Sequence, residues 1–192
     1  MRRIITWAAI SLDGYMEGPA GEGDLGWLMP YVEDSLPDNS AMLAAEIDTI
    51  LLGRVTYEGF SRYWPYREGE FADLMNAPPK LVFTRRGAVG DISWGPYDNA
   101  RLVERDPEEM LRSLKKEDGR DLVVLASGGL VSSLLGSGLV DELRLIVCPV
   151  VVGGGKPYFR NIAGPVGLEL VDVKGYPRGS ARLTYRPASR AA

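Results

Sequence analysis

The sequence contains no histidine and a single cysteine, Cys148, among its 192 residues. These absences exclude Ser-His and Cys-His nucleophilic systems, metal sites built on histidine or cysteine clusters, and an intrachain disulfide bond. Because Cys148 lies within the apolar run LRLIVCPVVV, we expect it to be a small buried hydrophobe. A chain so poor in thiols suits a reducing compartment, which predicts a cytoplasmic protein.

Long hydrophobic runs are also absent. No apolar segment approaches the ~18 residues that a membrane-spanning helix needs. The short run after Arg2 and Arg3 leads into Asp13 and Gly14 without a convincing signal-peptide cleavage site. With 22 basic and 26 acidic residues the net charge is −4, which disfavours a nucleic-acid partner. We therefore expect no membrane or nucleic-acid partner, and a single domain over residues 1–192.

Buried-strand patterns alternate with helical patterns along the chain. This alternation predicts an α/β fold with a mainly parallel central sheet and helices on both faces. The last two strands flank the turn sequence GYPRGS and should form an antiparallel hairpin at one edge. A glycine-rich loop is expected over residues 13–34, followed by a helix whose N-cap is Asp38 or Asn39. The predicted strands span residues 3–12, 49–53, 80–84, 121–126, 141–152, 168–176 and 180–186, and further helices span 55–63, 106–116 and 129–135.

Ligands of open α/β sheets bind beyond the carboxyl ends of the strands, and three strand ends here carry unusual residues. In ILLGRVTYEGF, Gly53 and Arg54 lead into a helix opened by Thr56, whose N-terminus would attract phosphate. An ordinary turn with a capping threonine explains this segment equally well. In LVFTRRG, Thr84 and Arg85 follow a strand, as suits the 2′-phosphate that separates NADP from NAD. A solvated basic turn is the alternative there.

The third strand end, VLASGGLVSSLL, passes through Gly128 and Gly129 directly into a helical pattern. Adjacent glycines at such a junction indicate close approach of backbone or ligand, and a pyrophosphate at the helix N-terminus is one such ligand. The segment matches neither G-x-G-x-x-G nor a P-loop. A fourth cluster, GGGK starting at Gly153, is either a second anion site or a flexible loop over the cleft.

These segments, in this order and at these spacings, resemble the dihydrofolate reductase-like superfamily. The similarity is carried by AISLDGYM, DTILLGRVTYEGF, KLVFTR and SGGLVSSLLGSGLVDELRLIVCPVVVGGGKPYF, and it covers residues 3–186. Within the superfamily, the chain resembles the C-terminal reductase domain of the bifunctional riboflavin-biosynthesis deaminase-reductase and its stand-alone relatives. The resemblance implies a dihydrofolate reductase-like fold, NADPH as cofactor, and a homodimer paired through late strands.

Carried over residue by residue, the resemblance also implies the site. A mobile loop beginning at Asp13 would close over nicotinamide, and a cis peptide bond would join Gly128 to Gly129. The cofactor-binding residues would be Ala9, Met16, Gly53, Arg54, Thr56, Thr84, Arg85, Ser127, Gly128, Gly129, Leu130 and Val131, and the substrate-binding residues Ala8, Trp27, Asp38 and Gly153.

The sequence departs from this resemblance at the proton donor. Ser127 precedes the paired glycines where the riboflavin-type domain usually has Glu, and no acid aligns with the carboxylate that protonates pterin. Asp38 is the nearest candidate for a catalytic acid. A proton donor near neutral pH needs a raised pKa, whereas a helix N-terminus lowers the pKa of a carboxyl. We therefore expect Asp38 to cap the helix and ordered water to supply the proton.

The leading hypothesis is an NADPH-dependent reductase acting on a small molecule. Its substrate would be a pterin- or pyrimidine-like heterocycle, or an imine or carbonyl compound. The alternative is a non-catalytic NADP-binding or regulatory module, which the absence of an aligned proton donor favours. A purely structural domain would leave the glycine clusters without explanation.

Overall fold

Short runs of branched aliphatic residues form the strands of this protein. The computed structural model describes residues 1–84, 91–103 and 106–188. In that part of the chain the strands are β1 (Ile4–Ser11), β2 (Tyr15–Glu17), β3 (Ile47–Gly53), β4 (Lys80–Phe83), β5 (Ala100–Leu102), β6 (Asp121–Leu125), β7 (Glu142–Cys148), β8 (Lys156–Pro157), β9 (Leu168–Gly175) and β10 (Ala181–Pro187).

An eight-stranded sheet organises the fold, in the order β5-β4-β3-β6-β1-β7-β10-β9. All neighbours from β5 to β7 are parallel, while β10 runs antiparallel to β7 and to β9. The predicted mainly parallel sheet with a C-terminal antiparallel hairpin is thus confirmed. Strands β2 and β8 form a separate two-stranded sheet, so the segment predicted as loop over residues 13–34 contains a strand.

Helices cover both faces of the sheet, as predicted. Ile4 of β1 packs on one face with Leu111 and Leu134, while Ile5 packs on the other with Met42 and Tyr57. None of the helices within the described ranges is long and apolar enough to cross a membrane. The helices are α1 (Met29–Ala45), α2 (Arg54–Ser61), α3 (Glu70–Asn76), α4 (Pro107–Leu114) and α5 (Gly128–Gly136), with a 3₁₀ turn at Trp64–Tyr66.

Helix α1 begins well before its predicted start. The predicted N-cap is wrong, because Asp38 and Asn39 lie inside the helix and Leu28 occupies the N-cap position. Pro37 explains the error, since an internal proline removes a backbone hydrogen bond and normally ends or kinks a helix. Here the helix continues past Pro37, and the buried Asn39 pairs with the equally buried Ser35 at 3.1 Å.

Ion pairs hold the amino ends of the parallel strands together. Arg3 contacts Asp121 at 2.6 Å, and Arg144 contacts Glu46 at 2.8 Å and Glu142 at 2.7 Å. The hydrogen bond from Arg144 lowers the pKa of Glu46. These charges satisfy one another, so this end of the sheet stabilises the fold, and the opposite end is where a ligand would bind.

Candidate functional site

A cavity of about 520 Å³ lies at the carboxyl ends of β3, β4 and β6. Its walls come from the turn that leads into α2, the turn that leads into α5, and residues beside β2 and β8. The structure thus brings together residues that are far apart in the sequence. The predicted cofactor-binding residues that line this cavity are Met16, Gly53, Arg54, Thr56, Thr84, Ser127, Gly128, Gly129 and Leu130.

The turn between β3 and α2 supplies one helix N-terminus. Gly53 is the N-cap, in extended backbone with φ −73° and ψ 155°, and no side chain caps the helix. The threonine cap considered for this segment is therefore absent, and the first-turn N–H groups of α2 have no side-chain acceptor among the residues that the structure describes. Arg54 donates from Nε to Oε1 of Glu58 at 2.7 Å, one helical turn later.

The turn between β6 and α5 supplies the second helix N-terminus, and its backbone is strained. Ala126 and Ser127 have φ values of 49° and 45°, a left-handed conformation that side chains disfavour. The buried Ser127 accepts a hydrogen bond at Oγ from the backbone N–H of Gly53 at 2.9 Å. One hydrogen bond therefore connects the two turns, and the strained conformation holds both helix starts at one cavity.

Gly128 has no room for a side chain because the chain's own backbone lies against it. A Cβ atom there would be 2.3 Å from the carbonyl oxygen of Tyr158. The sequence left open whether backbone or ligand lies close to the paired glycines. At Gly128 the close neighbour is backbone, and both Gly128 and Gly129 line the cavity. Every peptide bond of the described residues is trans, so the implied cis bond is absent.

The β2–β8 sheet closes one side of this region. Gly155 has φ 114°, and a Cβ there would lie 2.2 Å from the carbonyl oxygen of Glu17. Lys156 forms an ion pair with Glu17, and Asp13 accepts a hydrogen bond from the N–H of Gly153 at 2.8 Å. The GGGK segment is thus fastened to the end of β1, and a second cavity of about 330 Å³ lies beside it.

The sequence matches a known family over nearly its whole length. The family model of the RibD C-terminal domain matches residues 2–181. The chain belongs to this family. It is also similar to the protein YyaP of Bacillus subtilis (strain 168), with 32% identity over 185 residues that cover 96% of this chain and 94% of that protein.

Two solved structures with a similar fold identify the fold of this RibD C-terminal domain. RibD of Acinetobacter baumannii superposes with a TM-score of 0.70 at 21% identity, covering 98% of this chain and 59% of that one. Dihydrofolate reductase of Enterococcus faecalis, in complex with NADP(H), superposes with a TM-score of 0.63 at 19% identity, covering 97% of each chain. The dihydrofolate reductase-like fold predicted from the sequence is therefore confirmed.

In this RibD C-terminal domain the two alanines of β1 lie on opposite faces of the sheet. Ala8 is buried on the α5 side in the cluster that contains Met16, while Ala9 packs on the α1 side against the cluster that includes Trp27. Val131 is fully buried in the core and does not line either cavity. Ala8, Ala9, Trp27 and Val131 therefore lie outside the main cavity, around the strands that border it.

Thr84 and Arg85 were predicted to bind the 2′-phosphate, and Gly153 was predicted to bind substrate. Thr84 directly follows β4 and lines the cavity, whereas Arg85 lies outside the described residues. Gly153 lines neither cavity, and its N–H is held by Asp13.

Asp38 lines neither cavity and is bound by the C-terminal hairpin. Its carboxylate accepts hydrogen bonds from Lys174 at 2.8 Å, Tyr176 at 2.7 Å and Arg182 at 3.2 Å. Burial alone would raise the pKa of Asp38, but the hydrogen bonds from Lys174 and Tyr176 outweigh it and lower the pKa. A carboxyl that is ionised near neutral pH cannot donate a proton, so Asp38 attaches α1 to the hairpin.

Sequence reasoning missed several residues of the main cavity. Glu58 and Ser133 lie one helical turn from predicted residues, so helical spacing could have identified them. Arg160 and Glu22 come from distant segments, and no local pattern indicates them. Within residues 1–84, 91–103 and 106–188, no group of three acidic, cysteine or histidine side chains is placed to hold a metal ion. The missed residues are Glu22, Val55, Glu58, Phe83, Pro107, Ser133 and Arg160, while Lys156 belongs to the GGGK cluster that was considered as an anion site.

Proposed function

We propose that the chain is an NADPH-dependent reductase that transfers hydride to a small substrate. The observation that supports this most is the cavity between the N-termini of α2 and α5, lined by Gly53, Arg54 and Gly129. Helix N-termini present N–H groups and a positive dipole end, both of which favour phosphate oxygens. The volume of about 520 Å³ falls within the range of ~300–1,000 Å³ usual for cofactor sites.

The cations of the cavity support an anionic ligand. Arg54 is paired with Glu58, and Lys156 is paired with Glu17. By contrast, Arg160 lines the cavity, and its guanidinium has no hydrogen bond or ion pair with any residue that the structure describes. Arg160 is therefore the residue proposed to bind a cofactor phosphate, because its charge has no competing partner among the described residues.

The chemistry follows from what the chain contains and lacks. The bound cofactor would supply hydride, and the protein would supply binding, orientation and exclusion of water. Met16 of β2 and Lys156 of β8 line the cavity. Because Asp38 is held by the hairpin and the chain has no histidine, the proton is proposed to come from water.

Cofactor titration tests this proposal directly. Fluorescence or calorimetric titration of the full chain should show NADPH binding. NADH should bind more weakly, because Thr84 lines the cavity and Arg85 follows it in the sequence, a pair of residues suited to the 2′-phosphate that NADH lacks. Arg160→Gln should weaken NADPH binding about tenfold or more, the value of a charge-assisted hydrogen bond. Arg62→Gln, which changes an exposed arginine outside the cavity, should leave it unchanged. A wild-type chain that binds neither nucleotide would contradict the proposal.

The alternative function is a non-catalytic NADP-binding or regulatory module. The observation that favours it is the engagement of Asp38, which removes the nearest candidate for a proton donor. Both functions predict NADPH binding, so substrate-dependent NADPH oxidation separates them. A chain that binds NADPH and oxidises it with none of a panel of pterins, pyrimidines and carbonyl compounds would favour the module.

We also propose a homodimer that pairs through β9. All eight residues of β9 are exposed, and the strand forms the free edge of the sheet. An exposed edge strand with large apolar side chains is a template for association. Those side chains are Leu168, Leu170, Val171 and Val173, each between 37% and 55% exposed. A cytoplasmic location stays a prediction from the sequence.

A further inference from the structure

The α1 side of β1 carries an apolar surface next to the cofactor cavity's strands. Trp7 and Ala9 emerge from β1 on this side and are partly exposed. Together with residues of and beside α1 they surround a buried floor. We call this set the apolar face: its partly exposed members are Trp7, Ala9, Trp27, Tyr31 and Val32, and its buried members are Leu28, Ile146, Cys148 and Tyr176.

The first two acids of α1 are engaged by the turn of the C-terminal hairpin. Glu33 forms an ion pair with Arg178 at 3.0 Å. Asp34 accepts a hydrogen bond from the backbone N–H of Arg178 at 2.9 Å and contacts its guanidinium at 3.3 Å. Both carboxylates are therefore held by the turn of the C-terminal hairpin.

The third acid is engaged in the same way. Asp38 binds Lys174, Tyr176 and Arg182, and Arg182 also contacts Asp172 at 2.9 Å. The carboxylates of α1 and the cations of the hairpin thus neutralise one another. Around the apolar face, neither a carboxylate nor a cation among these residues is left to bind a charged ligand.

One polar group of the apolar face does lack a partner. The indole N–H of Trp7 is buried and forms no hydrogen bond within the described part of the chain. A buried donor without an acceptor is unfavourable and is uncommon in folded proteins. Because neighbouring atoms cover this nitrogen, a ligand can accept its hydrogen bond only when the side chains of the face shift slightly, and only an acceptor atom can do so.

From this arrangement we infer that the substrate is a neutral, flat carbonyl compound, whose oxygen accepts a hydrogen bond from Trp7 Nε1. An aminopyrimidine or pterin presents N–H donors and gains a proton, so it needs a free carboxylate, and a phosphorylated substrate needs a free cation. The apolar face provides neither. The inference rests on the proposed reductase function and narrows its substrate class.

The reaction balances with the cofactor already proposed. Hydride from NADPH forms a C–H bond at the electrophilic carbon of the substrate, the π electron pair moves to the carbonyl oxygen, and water protonates that oxygen. NADPH is oxidised to NADP⁺ and the carbonyl compound is reduced. The Trp7 N–H would stabilise the negative charge that develops on the oxygen.

Wild-type chain saturated with NADPH tests the substrate class without any mutation. We expect oxidation of NADPH with 2-cyclohexenone or benzaldehyde, no oxidation with dihydrofolate, and no calorimetric binding of the diaminopyrimidine trimethoprim. Reduction of dihydrofolate, binding of trimethoprim, or failure of both carbonyl compounds while NADPH binds would overturn the inference and leave the cofactor proposal intact. Absence of NADPH binding would instead overturn the proposed function, and the inference with it.

A matched pair of tryptophan variants tests the hydrogen bond. Trp7→Phe keeps an aromatic ring and removes the N–H, so kcat/KM for the carbonyl substrate should fall about tenfold or more, with NADPH affinity unchanged. Trp64 also has a buried, unpartnered N–H but lies outside the apolar face. Trp64→Phe should therefore leave kcat/KM unchanged, and equal effects of the two variants would overturn the role of Trp7.

Discussion

The Oγ atom of Ser127 accepts a hydrogen bond of 2.9 Å from the backbone N–H of Gly53. This contact joins two turns that are 74 residues apart and that each begin a helix at the cavity. Its position means that the geometry of the α2 turn depends on a side chain of the α5 turn. A ligand bound between the two helix N-termini would depend on both.

Ser127→Ala should weaken both the fold and cofactor binding. The variant leaves the Gly53 N–H without its acceptor, which destabilises a protein by about 1–3 kcal/mol when the donor is shielded from water. Urea unfolding and NADPH titration measure the two effects. Ser133→Ala, which changes another serine of the cavity that is not part of this link, should leave the free energy of unfolding nearly unchanged. Equal stability of both variants would argue against the link.

The paired glycines should respond differently to a methyl group. Gly128→Ala places Cβ 2.3 Å from the Tyr158 carbonyl oxygen, so the backbone must shift and thermal stability should drop. Gly129→Val adds a branched side chain at the cavity wall, so NADPH affinity should fall while the fold survives. Melting temperature and NADPH titration of both variants separate these effects. Normal NADPH binding by a folded Gly129→Val chain would show that SGGL is only a turn.

Asp38→Asn should lower stability and spare activity. The lowered pKa of Asp38 means that its carboxylate stabilises the fold above the ordinary carboxyl pKa of 3.8, and that this contribution is lost as the pH falls through the folded-state pKa. The melting temperature of the variant should therefore lie below wild type at pH 7, with a smaller difference at pH 3. Turnover should stay within a few fold. A loss of several orders of magnitude in turnover at unchanged stability would identify Asp38 as the acid.

Lys80 should make stability depend on pH in the alkaline range. Burial lowers its pKa from 10.5 to about 7, and its Nζ atom lies 4.6 Å from the centre of the Trp94 ring. Between these two values the unfolded chain holds a proton that the folded chain lacks, so the free energy of unfolding should rise with pH. The rise should reach up to about 1.4 kcal/mol per pH unit.

Lys80→Met should remove that rise, as denaturant unfolding between pH 7 and 10 can measure. Methionine keeps the length and apolar stem of the side chain without the charge. The carbonyl oxygen of Asn76, which Lys80 contacts, keeps a hydrogen bond from Asn99 at 2.7 Å. Lys116→Met, at an exposed position, is the control that should preserve the wild-type slope; an unchanged slope in Lys80→Met would refute the assignment.

Charges on β9 should disrupt the proposed dimer. Leu170→Glu and Val173→Glu place carboxylates on the exposed edge strand, where two copies would repel each other. Sedimentation velocity should show monomers for these variants and dimers for wild type. Val151→Glu, an equally apolar exposed position outside the strands, should remain dimeric. If the wild-type chain sediments as a monomer, the proposed dimer is wrong.

The long strands of the main sheet could be predicted from the sequence, whereas the short strands β2, β5 and β8 could not. The apolar runs around Leu51, Val82 and Val124 are buried on both sides of the sheet, and such runs reveal parallel strands because each residue records its own burial. Gly53 and Ser127 could be identified for a similar reason. Where a strand pattern is followed directly by a helical pattern, the turn between them is located to within a few residues.

The residues that lie against those turns could not be predicted from local sequence. The continuation of α1 through Pro37, the approach of the Tyr158 carbonyl to Gly128, and the arrival of Arg160 at the cavity all depend on contacts between distant segments. Asp38 shows the same limit: its local sequence predicts a cap, yet its partners are on a hairpin 136 or more residues away. Local pattern records whether a residue is buried, whereas the identity of its neighbour is set by how the whole sheet packs.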